Sequence, residues 1–181
     1  GVELKVHDLG GEGPPLLFAH ATGFHGRVWE PLAAHLSGFH RWSIDMRAHG
    51  DSDAPDDRPL EWYGFADDVL SVIDGIGLET PYGVGHSKGA ASLLLAEQAR
   101  PGTFTALYLY EPVVVPTDHV SGHNPDNPLS NGARRRRDAF ESFDAAYENY
   151  ASKPPFSTLH PEVLRVYVDY GFTQNDDGTV S

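Results

Sequence analysis

Residues 82–99 read YGVGHSKGAASLLLAEQA, and this stretch decides the fold. Its first three residues predict a short strand, and the small residues and leucines that follow Ser87 predict a helix. Between the two, Gly85 and Gly89 flank Ser87 in the pattern G-x-S-x-G. Glycine at both positions permits a tight strand-to-helix turn, because a side chain there would collide with the turn. The stretch therefore predicts a strained serine whose hydroxyl stands clear of a sheet.

A second interpretation of the same residues is purely structural. Serine is a good N-cap for a helix, and the glycines could serve close packing. The strand before Ser87 and the helix after it favour the first interpretation. Under that interpretation, the free amides at the start of the helix face any negative charge that develops beside Ser87.

Outward from this turn, predicted strands and helices alternate along the chain. Short apolar runs predict further strands at residues 2–8, 16–20, 41–46 and Ala106–Tyr110. Apolar residues at helical spacing predict helices at residues 29–36 and Trp62–Ile76. Such alternation indicates βαβ units and a mainly parallel, doubly wound sheet that helices cover on both faces.

The character of the sequence changes after Pro116. Residues 117–131 are polar and contain two prolines, which predicts a long irregular connection. Two further helices are predicted, at residues 134–150 and 162–170. We therefore expect an α/β core over residues 1–116 and a helical segment over residues 117–181 that lies on top of the sheet.

Composition restricts the partners. The 181 residues include 26 Asp and Glu against 13 Lys and Arg, which gives a formal net charge of −13. Nucleic acids and anionic membranes repel such a surface, so neither is expected as a partner. Cysteine is absent, which excludes disulfides and thiolate metal sites and fits a reducing compartment. No apolar run could cross a bilayer and no secretory leader is evident, so we expect a cytoplasmic protein.

Both ends of the chain favour a fragment. The sequence opens on Gly1, directly before a predicted strand, and closes on residues 175–181, a polar stretch that predicts turns without a closing helix or strand.

A serine that transfers acyl groups needs two backbone amides aimed at the oxygen on which negative charge develops. The amide that follows Ser87 belongs to Lys88. The second donor comes from a loop after a neighbouring strand, and residues 20–26 form such a loop. Within it we choose the amide of Thr22. By itself this loop would be interpreted as an ordinary strand-to-helix connection.

Three motifs together resemble the α/β-hydrolase superfamily, in its cap-bearing serine hydrolase branch. They are FAHATGF at residues 18–24, DMRAHGDSD at residues 45–53 and the turn at Ser87. The first resembles the oxyanion loop of the family, with Ala21 where Gly is usual. The second resembles the family's Asp-x-Arg-Gly-x-Gly-x-Ser loop, with Ala48 in place of a Gly.

The resemblance implies that Ser87 is the nucleophile and that the amides of Lys88 and Thr22 form the oxyanion hole. It implies a small-molecule substrate, with no cofactor and no metal ion. The helical segment then resembles an incomplete cap. Because the nucleophile is Ser, the resemblance argues against the branches that use Asp there, such as haloalkane dehalogenases and epoxide hydrolases. Asp45 and Arg47 are expected to tie a loop beneath the site, and His86 is expected to be a packing residue.

In this family the acid and the histidine of the triad follow late strands beyond the cap. His119, His123 and His160 come after Ser87 but follow no recognisable late strand, so none is assigned as the base. Glu111 follows the strand after Ser87, where some members carry the acid; anchoring the cap connection is the more ordinary role.

The sequence thus predicts a hydrolase that cleaves an ester or related acyl bond through an acyl-enzyme on Ser87. Without the acid and the histidine, the chain alone is expected to turn over very little substrate. Two alternatives stay open. One is a ligand-binding homologue that has lost the chemistry, and the other is a peptidase or a carbon–carbon bond hydrolase of the same fold.

Overall fold

The computed structural model describes residues 2–55, 60–114, 137 and 139–181. Five strands in these residues form one sheet in the order β1-β3-β2-β4-β5. The strands are β1 (Val6–Asp8), β2 (Pro15–Ala19), β3 (His40–Ile44), β4 (Tyr82–His86) and β5 (Ala106–Tyr110). β1 pairs antiparallel with β3, whereas all other neighbours are parallel. The mainly parallel sheet predicted from the sequence is confirmed.

Helices flank this sheet and continue past it. They are α1 (Glu30–Ala33), α2 (Trp62–Ile76), α3 (Lys88–Ala99), α4 (Phe143–Ala151) and α5 (Pro161–Gly171), with single 3₁₀ turns at Gly26–Trp29 and Phe156–Thr158. Among the described residues, no helix combines the length and the apolar character needed to cross a membrane.

Side chains alternate between the two faces of the central strand β2. Leu17 and Ala19 are fully buried in one cluster with residues of α2 and α3. Leu16 and Phe18 pack on the opposite face, in a cluster that includes Ala33 of α1. Covering both faces in this way is what a doubly wound parallel sheet requires.

A second hydrophobic core joins the C-terminal helices to the loop after β2. Its buried members include Val28, Tyr150 and Tyr167, and Phe24 packs against them. The rings of Phe24 and Tyr167 lie 5.2 Å apart. Tyr170 is about half exposed, and the guanidinium of Arg27 lies 4.2 Å from its ring centre.

Two predicted elements near the N-terminus are wrong in extent. Only Val6–Asp8 of the predicted strand 2–8 is a strand. The predicted helix 29–36 is a 3₁₀ turn followed by the four-residue α1. After Ala33, His35 and Leu36 donate to carbonyls three residues back, at 3.0 Å each, so the backbone tightens into a turn and the helix does not continue.

One C-terminal prediction is corrected and another is confirmed. The predicted helix 134–150 begins only at Phe143, because Ser142 caps it by accepting from the Ala145 amide at 3.1 Å. Residues 117–131, 134–136 and 138 lie outside the described residues. Residues 175–181 form turns without a helix or strand, as predicted, and an Asn175 N–H to Thr179 carbonyl bond of 2.8 Å closes the turn. Val180 is buried there.

Candidate active site

Ser87 occupies a backbone conformation that side chains rarely adopt. It lies between β4 and α3 with φ +53° and ψ −113°. Its N–H donates to the Tyr110 carbonyl at 2.9 Å, and its carbonyl accepts from the Ala91 amide at 3.1 Å. Such a conformation costs about 1–3 kcal/mol and persists only where neighbouring bonds enforce it. The strained strand-to-helix turn predicted from the sequence is therefore present.

The hydroxyl of Ser87 has no structural use in the described part of the chain. It makes no capping bond to the start of α3, so the structural interpretation of this serine as an N-cap is not supported. The residue is partly exposed. The described residues therefore leave the hydroxyl of Ser87 without a hydrogen-bond partner.

The positions of the two glycines that flank Ser87, Gly85 and Gly89, leave no room for a side chain. A Cβ on Gly85 would lie 2.5 Å from the Cα of Ala90, and a Cβ on Gly89 would lie 2.3 Å from the Ala19 carbonyl oxygen. In both cases the obstructing atom belongs to the backbone, so rotating a side chain could not relieve the contact. The first turn of α3 therefore lies directly against the end of β2, where the next loop begins.

That next loop carries Thr22. The Ala21 carbonyl accepts from His20 Nδ1 at 2.7 Å and from the Phe24 amide at 3.2 Å. Ala21 is buried and is absent from the described non-glycine residues with positive φ, so alanine fits where the family usually has glycine. Thr22 is exposed, and its amide makes no hydrogen bond to the residues that the structure describes. The Lys88 amide, in the first turn of α3, lacks a partner within its helix.

The Lys88 side chain turns inward, which the sequence did not predict. It is buried, with Nζ 3.1 Å from Nε2 of His49 and 4.5 Å from the centre of the Phe65 ring. Burial lowers the pKa of Lys88 to about 8. Burial, and then the charge of Lys88, lower the pKa of His49. No local sequence signal marks a lysine for burial, because its partners come from distant segments.

Asp45 ties together the segments beneath the site. Its buried carboxylate accepts from the amides of Gly26 and Asp51 and lies 3.2 Å from His7 Nε2. Burial alone would raise the pKa of Asp45, but the neighbouring His7 imidazole and the bonds from the Asp51 and Gly26 amides outweigh burial and lower it to about 2. The carboxylate therefore stays charged and holds both loops at ordinary pH.

Arg47 connects the same loop to α2. Its Nε and Nη2 donate to the two carboxylate oxygens of Asp68, at 2.5 and 2.6 Å. Bidentate pairs of this kind fix orientation as well as position. Asp45 and Arg47 thus make the contacts expected of residues that tie a loop in place.

Ala48 is strained at the position where the family has glycine, with φ +60°. We expect Ala48→Gly to stabilise the fold by about 1 kcal/mol, because release of roughly 1–2 kcal/mol of left-handed strain exceeds the ~0.5–1 kcal/mol entropic cost of glycine. The melting temperature should rise by about 2–4 °C. Ala34→Gly is the matched control, since Ala34 has an ordinary φ of −59° and glycine there should destabilise. Equal effects in both variants would contradict the strain at Ala48.

A groove of about 290 Å³ opens beside the loop that carries Thr22. Its walls come from that loop, from the loop after β3 and from the end of α5, and Ser87 does not line it. The lining residues are Gly23, Phe24, His25, His49, Gly50, Asp51, Tyr167, Tyr170, Gly171 and Thr173.

No described histidine hydrogen-bonds to the Ser87 hydroxyl. His160 lies at the start of α5 and accepts from the Glu162 amide at 3.4 Å, whereas His119 and His123 lie outside the described residues. The His86 ring packs against Tyr110, with ring centres 5.1 Å apart. Glu111 follows β5 with φ +47° and is exposed.

This sheet, with a serine on a strained turn at the end of β4, defines the α/β-hydrolase fold. The model of the alpha/beta hydrolase family matches residues 16–177. The chain belongs to that family.

Curated relatives match a little more than half of the chain. Lipase LipV of Mycobacterium tuberculosis is 32% identical over 114 residues, which cover 62% of this chain and 43% of the relative. An epoxide hydrolase of Caballeronia sordidicola is 31% identical over 114 residues, covering 60% of this chain and 33% of the relative. The chain therefore matches less than half the length of either relative.

Solved structures match nearly the whole chain. The crystal structure of E-2-(acetamidomethylene)succinate hydrolase superposes with a TM-score of 0.81 at 25% identity. It covers 98% of this chain and 63% of the other. The likeness extends through α4 and α5, so the C-terminal helices belong to the same arrangement as the sheet.

Proposed function

We propose that this protein is a serine hydrolase that cleaves an ester or related acyl bond through an acyl-enzyme on Ser87. The observation that carries the proposal is the strained backbone at Ser87, combined with a hydroxyl that the fold does not use. Strain at a residue whose side chain makes no hydrogen bond to the described residues points to a functional constraint.

The reaction follows from the groups around the turn. The Ser87 oxygen attacks the substrate carbonyl carbon and loses its proton to a base, and the carbonyl oxygen becomes an oxyanion. The amides of Lys88 and Thr22 receive that oxyanion. Collapse of the intermediate returns the proton to the leaving group and leaves the acyl group on Ser87, and water then releases it as the acid. In the order of this family, the acid and the histidine follow Ser87 in the whole protein.

The C-terminal segment of the chain fits a cap over the core. In this proposal residues 1–116 are the core and residues 117–181 are part of the cap, and the groove between α5 and the Thr22 loop is where a small substrate enters. An acidic, cofactor-free cytoplasmic enzyme without nucleic-acid or membrane partners is consistent with the composition.

The test is hydrolysis of p-nitrophenyl butyrate by the whole protein as its gene encodes it. We expect release of p-nitrophenol without added cofactor, and an acid-quenched sample should carry the butyryl group on the peptide that contains Ser87, detected by mass spectrometry. The acyl group should lie on oxygen because Ser87 is the attacking residue. Failure to hydrolyse any ester in a panel of chain lengths, or an adduct at another residue, would contradict the proposal.

The 181-residue chain serves as the comparison in the same assay. Because no described histidine contacts the Ser87 hydroxyl, we expect its turnover to be lower by several powers of ten, as when a triad loses its base. A clear ester signal from this chain that disappears in Ser87→Ala would show that the base lies within it.

A further inference from the structure

One peptide unit determines where the Thr22 amide points. Its carbonyl, that of Ala21, is held from two sides by His20 Nδ1 at 2.7 Å and by the Phe24 amide at 3.2 Å. The bond between Ala21 and Thr22 is trans, so the carbonyl and the following N–H point in opposite directions. His20 is buried and Thr22 is exposed. A donor that fixes the carbonyl toward the buried His20 ring therefore aims the Thr22 N–H away from that ring.

The second ring nitrogen of His20 has only one possible role. Nε2 lies 2.9 Å from the backbone N–H of Met46 and accepts from it. A peptide N–H cannot accept, so Nε2 must carry the lone pair and Nδ1 must carry the proton. That proton is the one donated to the Ala21 carbonyl. The amide of Met46 thus selects the tautomer that the Ala21 carbonyl needs.

The surroundings keep the His20 ring neutral. Burial lowers the pKa of His20 to about 3, and the nearby His49 and Lys88 act in the same direction. The His49 ring centre lies 5.2 Å away. A protonated ring would also have to break the Met46 bond, since it would present two donors.

We propose that His20 is a positioning residue that aims the Thr22 amide at the oxyanion by holding the Ala21 carbonyl through Nδ1–H. The inference rests on the proposed function and extends it. It also connects two of the sequence motifs, because Met46 belongs to the loop after β3 and Ala21 to the loop after β2. A movement of the loop that contains Met46 would therefore be transmitted to the Thr22 amide through the His20 ring.

Two substitutions separate the two nitrogens. His20→Asn places an amide N–H near the position of Nδ1 and can still donate to the Ala21 carbonyl. His20→Gln places its amide near the position of Nε2 and can still accept from Met46 but cannot reach the Ala21 carbonyl. Each loses one of two buried bonds, so the two variants should be destabilised to a similar degree.

The activities of the two His20 variants should nevertheless differ. In the whole protein we expect His20→Gln to reduce kcat by about 10²- to 10³-fold, the effect of losing one oxyanion donor. KM should change little, because the donor acts on the transition state. His20→Asn should retain most of kcat. Equal kcat losses in two equally stable variants would mean that His20 only supports the fold, and would overturn the inference.

Nuclear magnetic resonance tests the geometry without relying on catalysis. With ¹⁵N-histidine and ¹⁵N-threonine in the whole protein, His20 should show a protonated Nδ1 and a bare Nε2. The Thr22 amide signal should keep its position in His20→Asn and move in His20→Gln. A reversed tautomer, or a Thr22 signal indifferent to both variants, would overturn the inference even in an active enzyme. An inactive wild-type protein with the expected signals would instead refute the proposed function alone.

Discussion

Replacing Ser87 with glycine is expected to abolish hydrolysis and, at the same time, to stabilise the fold. Removal of the nucleophile should lower kcat of the whole protein by about 10⁴- to 10⁶-fold. Glycine adopts positive φ without strain, so the roughly 1–3 kcal/mol held at φ +53° would be released. The greater freedom of glycine in the unfolded chain offsets about 0.5–1 kcal/mol of that. Urea unfolding should therefore show a net gain of about 1 kcal/mol.

Ser87→Ala is the matched control for this result. It should lose as much activity as Ser87→Gly, but its stability should stay near that of the wild type, since alanine suffers the same strain and no bond is lost. A serine that caps α3 would give a different pattern, because removing a cap destabilises by about 1 kcal/mol. Stabilisation by glycine but not by alanine thus identifies a strained, unused hydroxyl. Hydrolysis that survives in Ser87→Ala would eliminate Ser87 as the nucleophile.

Elements whose signal is local were predicted well from the sequence. The bounds of α2 at Trp62–Ile76 and of β5 at Ala106–Tyr110 agree with the structure residue for residue. The turn at Ser87 was equally accessible, because a strand, a glycine-flanked serine and a helix follow one another within 18 residues. In these segments periodicity and turn chemistry favour the same structure.

Features that depend on distant partners could not be predicted. The tautomer of His20 is set by Met46, which lies 26 residues further along the chain. The buried Lys88 depends on His49, 39 residues away. Residues 175–181 form the predicted turns, but the burial of Val180 and its isolated bridge to Phe140 depend on the distant partner. None of these long-range contacts produces a periodic pattern in the sequence from which it could be predicted.

The two alanines that replace family glycines show why a motif must be checked residue by residue. Ala48 has φ +60° and Ala21 is absent from the positive-φ residues. The sequence treats the two replacements alike. In the structure only Ala48 carries strain. Glycine relieves strain only where φ is positive, and at other positions its small size is the only advantage.

Gly89 presents the opposite case, in which glycine is needed for its size. We expect Gly89→Ala to destabilise the fold by about 3 kcal/mol or more. The new Cβ would lie 2.3 Å from the Ala19 carbonyl oxygen and 2.7 Å from that of His20. Both are backbone atoms of β2 and its loop, so α3 would have to move away from the sheet. Thermal and urea unfolding of the whole protein would measure the loss.

Gly75→Ala provides the control on the same kind of element. Gly75 lies inside α2 with open space around its Cα, so alanine there should stabilise by about 0.5–1 kcal/mol through helix propensity. Gly89 also lies in a helix, and propensity alone would predict a gain for it too. A loss at Gly89 beside a gain at Gly75 would therefore measure the close approach of α3 to β2. That approach brings the Lys88 amide beside the loop that carries Thr22, so a Gly89→Ala protein of unchanged stability would remove the physical basis for placing the two amides around one oxygen.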